Sequence, residues 1–165
     1  MRLTAEQTRV LLKGIAPYRV KEVQGMAHVE GYDIRAMLIR VFNFAGFSIT
    51  NPTPTTLIYE HPTMTKAQKP AFNTAYMAHV RITIHLPDGD VYYDGTAVGE
   101  ATMPDFKRGD THDMAIKTAD TQALKRAAIN LGDQFGLSLY NDGSLQPLVR
   151  KLVGWDETKG EDVTE

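Results

Sequence analysis

No cysteine occurs anywhere in the 165 residues, which removes disulfide frameworks, thiolate metal sites and cysteine nucleophiles together. Long apolar runs are missing as well, and nothing approaches the roughly 20 residues a membrane-spanning helix needs. Gly/Ser and Gln/Asn tracts are absent, and charged residues make up 23% of the chain, which fits an ordinary folded domain rather than a disordered one. No phosphate loop, nucleophile elbow or close carboxylate cluster can be found, so neither an enzyme nor a cofactor is expected. Met1-Arg2-Leu3-Thr4 leads into a capped helix pattern rather than an apolar signal core, so the expectation is a soluble cytoplasmic protein.

A strong excess of one charge is also lacking, since the net charge is -2. Its distribution is uneven. Residues 156–165 hold five acids (Asp156, Glu157, Glu161, Asp162, Glu165) against Lys159, which leaves 17 basic and 15 acidic residues in 1–155. Any nucleic-acid site must therefore be a local groove of lysines and arginines. The length suits one domain, 1–155, followed by an acidic, disordered tail, 156–165.

Along the chain, Thr4-Ala5-Glu6-Gln7 has capping-box spacing and opens a helix over 4–16 that buries Val10, Leu11 and Ile15 and stops at Pro17. Residues 18–29 read as extended. A second helix starts near Gly31, carries Ile34, Met37, Leu38, Val41 and Phe42 inward, and ends with Gly46 as a left-handed stop. Strands are expected over 47–50 and 56–61, then an exposed basic loop, Lys66-Ala67-Gln68-Lys69-Pro70. Residues 78–86 alternate cleanly, with Ala78, Val80, Ile82, Ile84 and Leu86 on one face and His79, Arg81, Thr83 and His85 on the other. Pro87-Asp88-Gly89-Asp90 supplies the hairpin turn to a return strand over 91–98.

After a loop over 100–109, a long helix is expected over 111–135, with Ala115, Ala119, Ala123, Ala127 and Ala128 permitting close approach of neighbours and Met114, Leu124, Leu131 and Phe135 giving bulk. Gly136 ends it, and a short last helix over 144–153 buries Leu145, Leu148 and Leu152. The result is an α+β fold, in which an antiparallel sheet of three or four strands packs on a long helix and N-terminal helices serve oligomer contacts.

The most suggestive local feature is Leu124-Lys125-Arg126-Ala127. Adjacent cations on a helix stand about 100° apart and can grip successive phosphates, although such pairs are also common on solvated helix surfaces. His79 and His85 are separated by roughly 20 Å of strand and cannot share a metal. Arg81 can pair diagonally with Asp94 across the hairpin. Asp113 and Lys117 have the order of a favourable helix ion pair.

Three stretches in order resemble the Rad fifty-two family. Val29-Glu30-Gly31-Tyr32 with Val41-Phe42-Asn43-Phe44-Ala45-Gly46-Phe47 is similar to the family's Glu-Gly-aromatic start and Phe-Gly-aromatic-Asn-Gly-Trp end. The hairpin with Leu86-Pro87-Asp88-Gly89 falls at the family's Asp-Gly hairpin. The string through Leu124-Lys125-Arg126-Ala127 to Gly132-Asp133-Gln134-Phe135-Gly136 looks like its long helix. The likeness spans about 3–141, with Phe47 in place of the usual tryptophan, a looser match over 95–100, and Ile129 where another arginine is often found.

The resemblance implies single-stranded DNA binding and ATP-independent annealing of complementary strands in recombination and repair, by a homo-oligomeric ring. It places Lys125 and Arg126 in an inner single-strand groove and matches Arg19 to a basic residue before the Glu-Gly motif; Lys21 beside Arg19 is a further nucleic-acid candidate, and a polar strand edge is the other reading of both. Lys107, Arg108, Lys66 and Lys69 are candidates for an outer groove that takes double-stranded DNA. The acidic tail is a candidate for a protein partner. The compact form suits a phage or bacterial version acting in the cytoplasm of a bacterial host. Two other readings stand beside this one: a module that recognises duplex nucleic acid by shape, and a metal-dependent nuclease using Asp88, Asp90, Asp94 or Glu100.

Overall fold

The computed structural model describes residues 3–156 and 161–162. Helix α1, Ala5–Leu11, begins at the expected capping box, with the Thr4 hydroxyl accepting from the Gln7 amide and the Gln7 side chain accepting from the Thr4 amide. It is shorter than expected, ending at Leu11 well before Pro17. Past it, a Cβ on Gly14 would collide with the Leu145 carbonyl, so the chain is already turned there and packed close. Ile15 is buried as expected, whereas Val10 and Leu11 are only half-buried and Thr8 takes the inward position.

The expected extended segment is a one-turn 3-10 helix, Pro17–Arg19, followed by a hairpin of β1, Val20–Val23, and β2, Met26–Val29. The turn residues Gln24 (φ 52) and Gly25 (φ 76) both lie in the left-handed region, as the tight two-residue hairpin turn requires. Helix α2, Gly31–Phe42, buries the five residues expected of it. Its stop differs: the positive φ falls on Asn43 (φ 65, ψ 173), whose backbone leaves the helix in an extended direction. Gly46 serves close approach instead, because a Cβ there would collide with the Phe42 carbonyl.

Strands β3, Phe47–Thr50, β4, Thr56–Met64, β5, Pro70–Leu86, and β6, Gly89–Pro104, form a four-stranded antiparallel sheet in the order β3-β5-β4, with β6 also paired to β5. Lys66 and Lys69 occupy the tight turn between β4 and β5, closed by the Thr65 amide on the Lys69 carbonyl. The β5/β6 hairpin is much longer than the alternating core of 78–98. Residues expected in a loop after Glu100 continue β6 to Pro104.

Helix α3, Arg108–Ala128, starts three residues early and stops seven short of Phe135. Two further 3-10 turns, Ile129–Leu131 and Asp133–Phe135, follow, punctuated by Gly132 (φ 101) and Gly136 (φ 98). Helix α4, Leu137–Asp142, comes next. The last helix expected over 144–153 is not formed, and Leu148 and Leu152 are exposed. Asp133 explains this: its buried carboxylate accepts the amides of Leu148 and Val149 at 3.1 Å each, and that of Ser138. A helix needs those amides for its own carbonyls. Where the acidic tail begins, Trp155–Asp156 (β7) pairs with Glu161–Asp162 (β8) of the tail as a two-residue ladder. Residues 157–160 and 163–165, where the rest of the expected disorder falls, lie outside the described residues.

The chain divides into two compact units, one of 1–48, 83–92 and 128–165, the other of 49–82 and 93–127. The first has its core in Ile15, Val29, the inward face of α2, Phe135 and Leu139. In the second, buried Ala71, Ala75, Ala78, Val80 and Ile82 of β5 and Ala97 and Ala101 of β6 accompany the alanine face of α3.

Candidate nucleic-acid interface

The placement of Lys125 and Arg126 begins with small residues. On the inward face of β6, Gly95 and Gly99 alternate with Ala97 and Ala101, and all four are buried. On α3, Ala115, Ala119, Ala123 and Ala127 recur every fourth residue and are wholly buried. A Cβ on Gly95 would collide with the Ala123 carbonyl and the Ala127 amide, and one on Gly99 with the Ala119 amide and the Ala115 carbonyl. Strand and helix backbones are therefore in direct contact, as the alanine spacing led one to expect. Such close packing leaves the helix little room to shift.

Lys125 and Arg126 lie in the last turn of this helix, where positive charge also offsets the negative end of the helix dipole. Lys125 is half-buried and Arg126 exposed. The Arg126 Nη1 donates to the Thr96 carbonyl at 2.7 Å, so one arm of the guanidinium is fixed on β6. A carbonyl acceptor leaves the positive charge of the group in place.

Lys107 and Arg108 stand at the opposite end of α3, roughly 25 Å away at 1.5 Å per residue. Lys107 is exposed. Arg108 forks onto Glu60 of β4 and lies over the Phe72 ring, 4.5 Å from its centroid. His112, one turn along, donates through Nε2 to the same carboxylate, and its Nδ1 meets the Tyr76 hydroxyl at 2.9 Å. The hydrogen bond from Arg108 is the main reason the Glu60 carboxyl lies below its ordinary range, with His112 adding to it. Glu60 in turn raises Arg108. Lys66 and Lys69 are exposed.

In the other unit, Arg19 is turned inward, with its side chain only 7% exposed. Its Nε lies 3.1 Å from each oxygen of Asp33, its Nη2 2.7 Å from one of them, and its Nη1 donates to Gln134 Oε1 at 2.7 Å. The Gln134 carbonyl accepts from Nη2, while the Gln134 amide donates to the carbonyls of Lys13 and Gly14. Lys21 is exposed on β1, in register with His28.

On the outward face of the second unit, the expected Arg81–Asp94 pair is present at 2.8 Å, and His79 joins it at 3.5 Å. The bond from Arg81 is the chief cause that lowers the Asp94 carboxyl. Asp90 meets His85, and Glu100 accepts from Asn73, so three carboxylates of the nuclease reading are engaged separately. Among the described residues, no group of three or more His, Cys, Asp or Glu could hold a metal ion. The Asp113–Lys117 ion pair forms on exposed helix surface at 2.5 Å.

Sequence reasoning missed Glu60, Asp133 and Gln134. Glu60 gave no signal, because its partners lie 48 and 52 residues away. For Asp133 and Gln134 a signal existed in the two flanking glycines, Gly132 and Gly136.

The ordered run of sheet, long helix and Gly-bracketed ending is matched by a family model. Residues 8–151 match that of the Rad52/22 family double-strand break repair protein. The chain belongs to the Rad52/22 family. No curated protein matches it. As a Rad52/22 chain it is tied to DNA recombination and repair, and the Lys-Arg pair of α3 lies inside the matched residues. No helix among the described residues of this Rad52/22 chain is long and apolar enough to cross a membrane.

Proposed function

We propose that the protein binds single-stranded DNA and anneals complementary strands without nucleotide hydrolysis, as a homo-oligomeric ring. The observation that carries this reading is Lys125 and Arg126 at the end of a helix whose backbone rests on β6, in a chain of a break-repair family. Fixed cations hold phosphates, and neutralising them lets two strands approach. Base pairing then supplies the specificity. One protomer offers few such cations, and a ring repeats them along a continuous track, each contact raising the effective concentration for the next. No covalent step is involved.

Lys107, Lys66 and Lys69 are assigned to weaker contacts with double-stranded DNA, and Lys21 to a further exposed contact. Arg19, with its fork committed to Asp33 and Gln134, is assigned to holding the base of the β1/β2 hairpin. The acidic residues of 156–165 are assigned to a protein partner or to competition for basic surface.

The test is the double variant Lys125→Ala/Arg126→Gln, measured for annealing of complementary oligonucleotides without nucleotide and for mass by light scattering. Alanine and glutamine keep the helix. Annealing should fall by more than tenfold while the oligomer persists, and the single-strand salt slope should drop by about 0.7 per lost contact. Wild-type annealing in moderate salt by a folded double variant would refute the assignment. Tighter binding of duplex than of single strands by the unaltered protein would favour duplex recognition by shape.

A further inference from the structure

The anion held at the N-terminal end of α3 is part of the protein itself. Glu60 presents one carboxylate to two side chains a helical turn apart, Arg108 and His112. Each is held in place from behind. The guanidinium carbon sits over the Phe72 ring, and the imidazole is fixed by the Tyr76 hydroxyl on Nδ1, which leaves Nε2 for an oxygen. A fork and a neighbouring N–H, both pre-set, make a receptor for an oxyanion, and a phosphate offers a guanidinium the same two-oxygen edge as a carboxylate.

We propose that Arg108, His112 and Tyr76 form an oxyanion subsite whose resident occupant is Glu60, and that a nucleic-acid phosphate takes its place when a strand crosses this end of α3. The geometry favours exchange in one direction. The Arg108 side chain is 56% exposed while that of Glu60 is 16% exposed, so the cation is reachable from solvent and its anion lies beneath it. Glu60 stands on β4, which pairs only with β5 among the described residues, and the open, arginine side of the pair is where solvent and a passing anion compete for the guanidinium. Lys107 next to it is exposed and adds attraction for phosphate. The occupied subsite sets a threshold: Arg108 contributes nothing to a passing anion until a strand already held elsewhere brings a phosphate to it.

This inference rests on the nucleic-acid reading, and the variant Glu60→Gln tests it. Glutamine keeps the shape and an acceptor but removes the competing charge. Single-strand affinity at low salt should rise by about tenfold, the worth of one charge-assisted contact. The salt slope should steepen by about 0.7 per engaged protomer, and both gains should vanish in Glu60→Gln/Arg108→Ala. Unchanged or weaker DNA binding by a Glu60→Gln variant of normal melting temperature would overturn the proposal and leave the cluster as a clamp between β4 and α3. Should neither protein bind single strands, the DNA reading fails, and inorganic pyrophosphate still decides the subsite. A saturable change in the His112 imidazole signals of Glu60→Gln, absent in the Arg108→Ala double variant, supports the site. No change overturns it.

Discussion

Arg19 of the first unit and the arginines of the second are used in opposite ways. In the first, Arg19 is buried and every nitrogen of its guanidinium meets Asp33 or Gln134, tying the turn before β1 to α2 and to the segment after α3. In the second, Arg81, Arg108 and Arg126 remain about one-third exposed or on exposed positions while engaging Asp94, Glu60 and the Thr96 carbonyl, across the sheet or from helix to strand. A buried guanidinium with a full set of acceptors is a structural joint. An exposed one contributes little to stability and remains within reach of a ligand. The number of arginines in a patch thus says less about binding than what each already holds.

The sharpest test of this contrast is Asp33→Ala, which leaves Arg19 inside the protein with its carboxylate gone. Uncompensated burial of the charge should cost about 3 kcal/mol, read by urea denaturation. A loss no greater than that of an exposed-pair variant would erase the distinction between the units. Gly99→Ala probes the second unit where it is rigid, driving a methyl group into the α3 backbone. It should cost about 1–3 kcal/mol and weaken annealing, since Lys125 and Arg126 would shift with the helix. Unchanged stability would mean the strand and helix have slack.

The smallest effect is the pH dependence of the exposed pairs. Glu60 and Asp94 both have carboxyls lowered in the folded state, by Arg108 and by Arg81 respectively. Their contribution is therefore present above the ordinary values of 4.5 and 3.8 and is lost as pH falls through the lower folded values. Melting curves of the wild type and of Asp94→Asn should differ slightly at neutral pH and converge on acidification. A gap that widens toward acid would reverse the sign of this account.

Much of the second unit was legible because its signals are local or periodic. The alternation through Ala78, Val80, Ile82 and Ile84 identified the central strand, and the alanines every fourth residue identified the helix face that meets the sheet. Arg81–Asp94 and Asp113–Lys117 followed from register and turn spacing. The first unit was less legible because its decisive contacts join distant residues. Leu145, Leu148 and Leu152 have helical spacing, yet Asp133 draws the Leu148 and Val149 amides away. Helical composition persists through Phe135, yet α3 ends at Ala128 and the chain goes on as 3-10 turns set off by the positive φ of Gly132 and Gly136. Of the candidate site, the Lys-Arg pair was legible, but what Arg19 and Arg108 hold was not.

The bond from Arg126 to the Thr96 carbonyl also protects the protein from itself. Strand β6 pairs only with β5 among the described residues, which leaves a rim where another chain's strand could add, and a side chain bound to a β6 carbonyl stands in the way of such pairing. The guanidinium acts as a bumper on that rim. Cutting Arg126 back to alanine removes a charge and bares an adhesive edge at once, and insolubility could then pass for a defect in DNA binding. Arg126→Gln, whose amide can still donate to Thr96 without carrying charge, separates the two: it should stay as soluble as the wild type while losing its share of the salt dependence.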